Sequence, residues 1–265
     1  MNMIDAIILG AVQGATEFLP VSSKTHLIIG QQLLGIDEPS IFLEVALHIG
    51  TLLSVLIYYR KDIIKLLSGF FNYIMGRNRE INRDDFRMCL FIIVGSIPAA
   101  IAGLLFKDWI EAQFDSTRLG GYLLLVTATV LILTHFIKPK RKALGFGNSF
   151  VVGAAQACAL LPGISRSGST ISAALFQGID PAQAARFSFL LSLPAVGGAV
   201  LLKAVDLMKQ PGAVTDLPSF GVGIVVSFIV GILAIYWLLK LLAGSKFYMF
   251  GFYCALVGIL TIIFL

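Results

Sequence analysis

Six continuous apolar stretches, at about 41–59, 88–106, 119–137, 182–205, 219–239 and 247–265, are each long enough to cross a bilayer as a helix. A chain with so many can shield them only in lipid, where every backbone N–H and C=O must be satisfied within the protein. The sequence therefore predicts an all-α polytopic membrane protein with six transmembrane helices. Composition agrees. Hydrophobic residues make up 57% and charged residues 13%, against about a quarter charged in soluble domains, and the mean hydropathy is +0.89. The first twenty residues are not expected to be a cleaved signal, because they lack a basic start and Asp5 and Glu17 interrupt their apolar run. Cys89, Cys158 and Cys254 stand singly in apolar segments with no CxxC pair. They read as packing residues rather than metal or disulfide ligands.

Two further pairs of apolar segments are too short to cross: 3–19 with 25–35, and 149–161 with 168–178. An 11-residue helix rises only about 16 Å, roughly half the hydrocarbon core. The first pair is broken by "EFLPVSSKTH" (17–26) and the second by "LLPGISRSGST" (160–170). In each, Pro ends one helix and Ser can cap the next. The pairs read as re-entrant helix hairpins, their tips inside the protein at membrane depth, where irregular backbone is tolerated only against protein or a water-filled cavity.

Basic residues orient the chain. Arg60, Lys61, Lys65, Arg77, Arg79, Arg83 and Arg87 lie in the loop 60–87, Lys138, Lys140, Arg141 and Lys142 in the next loop on that side, and Lys240 and Lys246 at the last. The opposite loops hold only Lys107, Arg118, Lys203 and Lys209. The positive-inside bias makes 60–87 a cytoplasmic loop and puts both termini outside. Glu80, Asp84 and Asp85 intersperse the basic run at 77–87, which reads as a solvated loop with no nucleic-acid partner.

The chain also repeats itself, about 1–140 against 141–265 within a single membrane domain. Gly10 and Gln13 correspond to Gly153 and Gln156, Leu19-Pro20 to Leu161-Pro162, Ser23-Lys24 to Ser165-Arg166, Gly35-Ile36-Asp37 to Gly178-Ile179-Asp180, and Pro39 to Pro181. Each repeat holds one hairpin and three spans. Three is odd, so the second repeat is expected to be inverted relative to the first. Inverted repeats with broken helices bring their tips together near the midplane, so residues 17–26 should meet residues 160–170.

The tips carry the chemistry. Gln13 and Glu17, four apart, share one helix face just before the first break, and Ser22, Ser23, Lys24, Thr25 and His26 follow. The second tip offers Ser165, Arg166, Ser167, Ser169 and Thr170 at a helix start. An arginine among hydroxyls and free N–H groups suits phosphate, since guanidinium offers paired donors. Ionisable residues at membrane depth default to function. The plainer alternative is a structural Glu17–Arg166 ion pair with the serines as caps. It leaves His26 and the excess of hydroxyls without a role. His48 in "ALHIGTLLS", Gln156 and Arg186 in "AARFSFLLSLPA" are candidates for supporting the site, or for structural roles alone; His135 reads as interfacial.

"QGATE" fits the pattern (Glu/Gln)-x-x-x-Glu, and "PGISRSGST" fits Pro-Gly-x-Ser-Arg-Ser-x-x-Thr; with "EFLPVSS…H", "HIGTL" and "FSFLLSLPA", these span nearly the whole chain. On these motifs the chain resembles the undecaprenyl-diphosphatase family, also called bacitracin-resistance proteins. The resemblance implies a bacterial inner-membrane enzyme that removes the terminal phosphate of undecaprenyl diphosphate and recycles the lipid carrier for peptidoglycan. It also implies a divalent cation, Mg2+ or Ca2+, and a site opening to the periplasm. Arg166, Ser165, Ser167, Thr170 and Ser22 would then grip the diphosphate. Glu17 would hold the metal with Gln13 or act as base. Ser23 would be phosphate ligand or nucleophile, with His26 as acid/base. Attack by His26 or by water stays open, as does a homodimer. Gln13 stands at the first acidic position of the pattern, which counts against any scheme needing two carboxylates on the metal. Inverted repeats around broken helices also build transporters, so a flippase or anion carrier is the rival reading.

Overall fold

The computed structural model describes residues 2–36, 41–137, 142–208 and 217–265. Asp37 and Pro39 of the repeat, and Lys138, Lys140, Arg141 and Lys209 of the charge bias, lie outside the described residues. Among the described residues the regular elements are helices, with one isolated bridge between Lys142 and Ile179. In chain order they are α1 (Met3–Phe18), α2 (Ser23–Leu33), α3 (Ile41–Tyr58), α4 (Arg60–Ile74), α5 (Arg79–Leu105), α6 (Lys107–Ala112), α7 (Thr117–Leu133), α8 (Phe146–Cys158), α9 (Arg166–Phe176), α10 (Pro181–Met208), α11 (Leu217–Ala243) and α12 (Met249–Phe264).

Helices α5, α7, α10 and α11 have the length and apolarity to cross a membrane, and α3 with α4, bent by 72°, makes a fifth if the pair is one span. With 27 residues, α5 is about 40 Å long. α12 is apolar but has 16 residues. Outward stripes at helical spacing are large and apolar: Ile93, Ile97, Ile101 and Leu104 on α5, and Phe252, Leu256, Ile259 and Ile263 on α12. Surface of this kind in this quantity faces lipid rather than water. The chain is a multi-pass helical membrane protein.

The stretch 60–87 departs from the expected loop. It forms α4 and the first turns of α5. Gly69 lies against Asp85, Phe70 and Tyr73 stack on Phe86 at 5.4 and 4.2 Å, and Leu66 is buried. Charges at Arg60, Lys61, Asp62 and Lys65 hide the amphipathic period of this helix, whose other face exposes Ile64, Leu67 and Phe71.

The two broken helix pairs pack in similar ways. α1 lies on α11, and α8, its counterpart, lies on α5. Gly10 and Gly14 meet the backbone of Gly223 and Ser227, while Gly153 presses on the carbonyl of Gly95 so closely that a Cβ there would collide with it. Small residues let these helices approach as membrane interiors require. α2 and α9 both have 11 residues and correspond end to end at a spacing of 143. Position 23 therefore matches 166, one residue off the Ser23–Ser165 pairing read from the sequence. Ser22 and Ser165 are the matched cap positions. Beneath the tips, Phe18 packs edge-on against Phe189 of α10 at 5.8 Å, inside the main buried cluster.

Candidate active site

The two breaks meet. Leu19 leaves α1 in extended geometry, Pro20 stops the helix, and Ser22 takes a left-handed backbone, φ +67°, before α2 starts. Such a conformation in a residue with a side chain costs roughly 1–3 kcal/mol and persists only where its surroundings hold it. Here the Gly163 N–H donates to Ser22 Oγ at 3.2 Å, and His26 Nδ1 lies 2.9 Å from the Ser22 carbonyl. On the other side Gly163, φ +84°, packs against the carbonyl of Gly120, a place only glycine can occupy. Thr127 of α7 clamps that turn, donating to the Gly163 carbonyl at 2.7 Å and accepting from the Ser165 N–H at 3.1 Å. Ser165 caps α9 by accepting from the Gly168 N–H.

Glu17 is the hub. Its Oε1 accepts from Arg166 Nη2 at 2.6 Å; its Oε2 accepts from Ser23 Oγ at 2.7 Å and from Gln13 Nε2 at 3.0 Å. The carboxylate and the guanidinium, 149 positions apart in sequence, have side-chain exposures of only 8% and 14%. Arg166 uses one arm on Glu17; its Nη1 is buried with no partner. Gln156 leaves both amide atoms buried and unpartnered, and Gln13 leaves its Oε1 so. Native interiors rarely leave such groups unpaired, and each points to a ligand, ion or water.

Glu17, Gln156 and Arg166, though not Gln13, line a cavity of about 140 Å³ together with Ser22, Ser23, Lys24, His48 and Ser165, with Ala99, Leu160, Leu161, Ala195, Val196 and Ala199 as its apolar walls. That is well below the roughly 300–1,000 Å³ of a pocket enclosing a drug-sized ligand.

The remaining candidates are distributed unevenly. His48 Nδ1 faces the Glu44 carbonyl at 2.8 Å, so that nitrogen carries a hydrogen, and Nε2 looks at Glu17 Oε2 from 4.0 Å. His26, expected at the centre, is not among the cavity-lining residues. Its Nε2 lies 2.9 Å from Tyr253 Oη and its ring stacks on that tyrosine. The reason is its partners: the Ser22 carbonyl one turn back and Tyr253 of α12 occupy both ring nitrogens. Ser167 and Thr170, expected on the phosphates, are also turned away. Ser167 donates to the Leu19 carbonyl at 3.2 Å, and Thr170 donates to the Arg166 carbonyl at 2.8 Å and bonds Ser188 at 2.6 Å. Arg186 pairs with Asp62 of α4 at 2.5 Å, not with the Glu17 cluster. No motif pointed to Thr127, because a lone threonine in an apolar span carries no signal. His48 stood out as an ionisable residue in an apolar span, with supporting and structural roles both open.

Among the described residues, no group of three His, Cys, Asp or Glu side chains could hold a metal ion. What the tips do offer is one carboxylate beside the unpartnered Gln13 Oε1, both hard oxygen donors. Mg2+ is commonly held by one or two carboxylates plus substrate phosphates, so the donor set fits a cation completed by a phosphorylated substrate.

The family model described as bacitracin resistance protein BacA matches residues 6–260. An undecaprenyl-diphosphatase of Desulfosudis oleivorans is 44% identical over 271 residues, covering 99% of this chain and 98% of its own. One from Desulforapulum autotrophicum is 40% identical over 273 residues, covering 99% and 98%. Undecaprenyl-diphosphatase 3 of Bacillus anthracis is 38% identical over 261 residues, covering 98% and 96%.

Proposed function

Because this chain belongs to the bacitracin resistance protein BacA family, we propose that it hydrolyses undecaprenyl diphosphate to undecaprenyl phosphate and phosphate. The observation that carries the reading is the single carboxylate joining Ser23 and Arg166 at the floor of a headgroup-sized cavity. Phosphoryl transfer needs a placed nucleophile and neutralisation of the transferring oxygens, with little else from the protein. Ser23 Oγ already donates to Glu17. As Oγ bonds the terminal phosphorus, its proton passes to that carboxylate, the bridging P–O bond breaks, and undecaprenyl phosphate departs. Water then cleaves the phosphoserine and releases phosphate. Arg166 keeps one arm on Glu17 and offers free Nη1 to a phosphate oxygen. His48 Nε2 is placed to receive the water's proton. Glu17 and Gln13 Oε1 would hold a divalent cation, Mg2+ or Ca2+, which neutralises phosphate charge when bound.

The arrangement in the membrane is part of the proposal. Six spans (α3, α5, α7, α10, α11 and α12) flank two re-entrant hairpins, α1–α2 and α8–α9, in inverted repeats. The broken tips and the crossed packing of α1 on α11 and α8 on α5 support this reading. The basic residues of 60–87 support a cytoplasmic side there, with both termini and the cavity mouth at the periplasm of a bacterial inner membrane. The prenyl chain stays in lipid, since it gains nothing by entering water.

Purified protein in detergent should release phosphate from undecaprenyl diphosphate, and EDTA should stop it until Mg2+ or Ca2+ is returned. Ser23→Ala should lose about 10²–10⁴-fold in kcat and form no acid-stable phosphoenzyme. Wild-type protein that binds the lipid without hydrolysing it would sink the reading in favour of transport.

A further inference from the structure

One basic residue in the first tip has no part in this chemistry. Lys24 lines the cavity beside Ser23, half-buried, with its Nζ 4.1 Å over the ring of Phe114, just after α6. Charge accounting gives it significance. Arg166 is paired with Glu17 before any substrate arrives, and the nearby Lys203 is paired with Glu44 at 2.5 Å. Among the described residues lining the cavity, Lys24 is the cation with no carboxylate within salt-bridge reach. A phenyl face holds an ammonium weakly, by about 0.5–1 kcal/mol at exposed sites, and keeps it available to an incoming anion.

We propose that Lys24 binds the lipid-side phosphate of the diphosphate and makes the site selective for diphosphate over monophosphate. The inference rests on the phosphatase reading above. The phosphorus under attack must lie beside Ser23 Oγ, within reach of Arg166 Nη1. A diphosphate places its second phosphate a few ångströms further on, where, among the described residues, Lys24 is the lining cation with no carboxylate within salt-bridge distance. A monophosphate fills the Arg166 position alone and leaves Lys24 on its ring. Lys24 thus holds the part of the substrate that the product phosphate lacks.

The test compares inhibition by inorganic pyrophosphate and by inorganic phosphate in wild type, Lys24→Met and Lys24→Arg, alongside kcat and KM on undecaprenyl diphosphate. Wild type should bind pyrophosphate more tightly than phosphate. Lys24→Met should shrink that preference roughly tenfold, a factor corresponding to about 1.4 kcal/mol, while inhibition by phosphate barely moves. Its KM should rise, and Lys24→Arg should restore most of the preference. An unchanged ratio in folded Lys24→Met overturns the proposal, as does an equal loss for both anions. If Lys24→Met does not fold, Lys24→Gln against Lys24→Arg makes the same comparison. Should wild type hydrolyse no lipid, the phosphatase reading fails on its own, and Lys24 is judged by the thermal shift that pyrophosphate gives wild type and the variants.

Discussion

The two helix breaks are built alike and charged differently. Each is a short helix, a proline-containing break, a serine at the cap position and an 11-residue returning helix. At the first position of that returning helix one repeat has Ser23 and the other Arg166. Both reach the same carboxylate, Ser23 on one oxygen and Arg166 on the other. The caps differ as well. Ser165 uses its hydroxyl on its own helix, whereas Ser22 sits in a strained left-handed conformation and accepts from the opposite tip. Matched helix starts therefore deliver two positions to one carboxylate, one a hydroxyl and the other a guanidinium. Neither half contains a site. The pair does.

The largest expected effect comes from breaking the shared carboxylate. Glu17→Gln keeps shape but removes the charge that faces Arg166 and the base that faces Ser23. We expect kcat to fall at least about 10³-fold, combining the loss of a base with a misplaced guanidinium. Arg166→Lys tests the other tip by keeping charge and removing the fork. Since bidentate geometry matters, it should still lose about 10²–10³-fold. Removing one partner of a buried pair destabilises by about 3–5 kcal/mol, so thermal unfolding of both variants belongs beside the kinetics. Folded Arg166→Lys with near-normal kcat would show that the second tip supplies charge alone, and the comparison would lose its geometric content.

The histidines sharpen the comparison at an intermediate scale. His48 comes from α3, outside both tips, and aims its Nε2 at Glu17. His26 belongs to the first tip but holds the Ser22 carbonyl and Tyr253. His48→Ala should lower kcat by about 10²-fold with little change in unfolding temperature. His26→Ala should act through the strained turn, lowering stability by about 1–2 kcal/mol along with activity. His26→Asn, which can still donate to the Ser22 carbonyl, should recover part of both losses. The reverse ranking, with His48→Ala harmless and His26→Ala inactive but fully stable, would return the acid/base role to the first tip.

How much of this was legible in the sequence depends on what kind of fact it is. Apolar runs of spanning length and helices broken at Leu-Pro fix the element types, because lipid leaves the backbone few alternatives. The meeting of Glu17 with Arg166 was expected from reading the two broken helix pairs as inverted repeats whose tips share one interface. What the sequence could not supply is rotation. The repeat reads as pairing Ser23 with Ser165, yet the helices match Ser23 with Arg166. A one-residue slip on a helix turns a side chain by about 100°, and so the fate of each hydroxyl was beyond reach. α4 was missed for a related reason: its four charges sit in the first half of an amphipathic helix and imitate a solvated loop.

The smallest expected effects fall on the second tip, where they distinguish gripping hydroxyls from building ones. Ser167 and Thr170 each sit in the segment that carries Arg166, and a sequence motif alone places them on the phosphates. Their hydroxyls are committed elsewhere, to the Leu19 carbonyl, to the Arg166 carbonyl and to Ser188. A lost neutral hydrogen bond is worth about 1 kcal/mol. Ser167→Ala and Thr170→Ser should therefore lower stability by about 1 kcal/mol or less, with kcat and KM within about threefold of wild type. Thr170→Val leaves Ser188 Oγ without its partner in a fully buried place, and should cost about 1–3 kcal/mol. Its kinetics should still stay near wild type at temperatures where it is folded. Ser165→Ala is the internal control, because that hydroxyl caps α9 and also lines the cavity. It should show both losses, about 1 kcal/mol in stability and a rise in KM. If Ser167→Ala raised KM as much as Ser165→Ala while leaving stability alone, the second tip would grip phosphate with its whole hydroxyl set. The division of labour between the tips would then lie in charge, not in which side chains face the cavity.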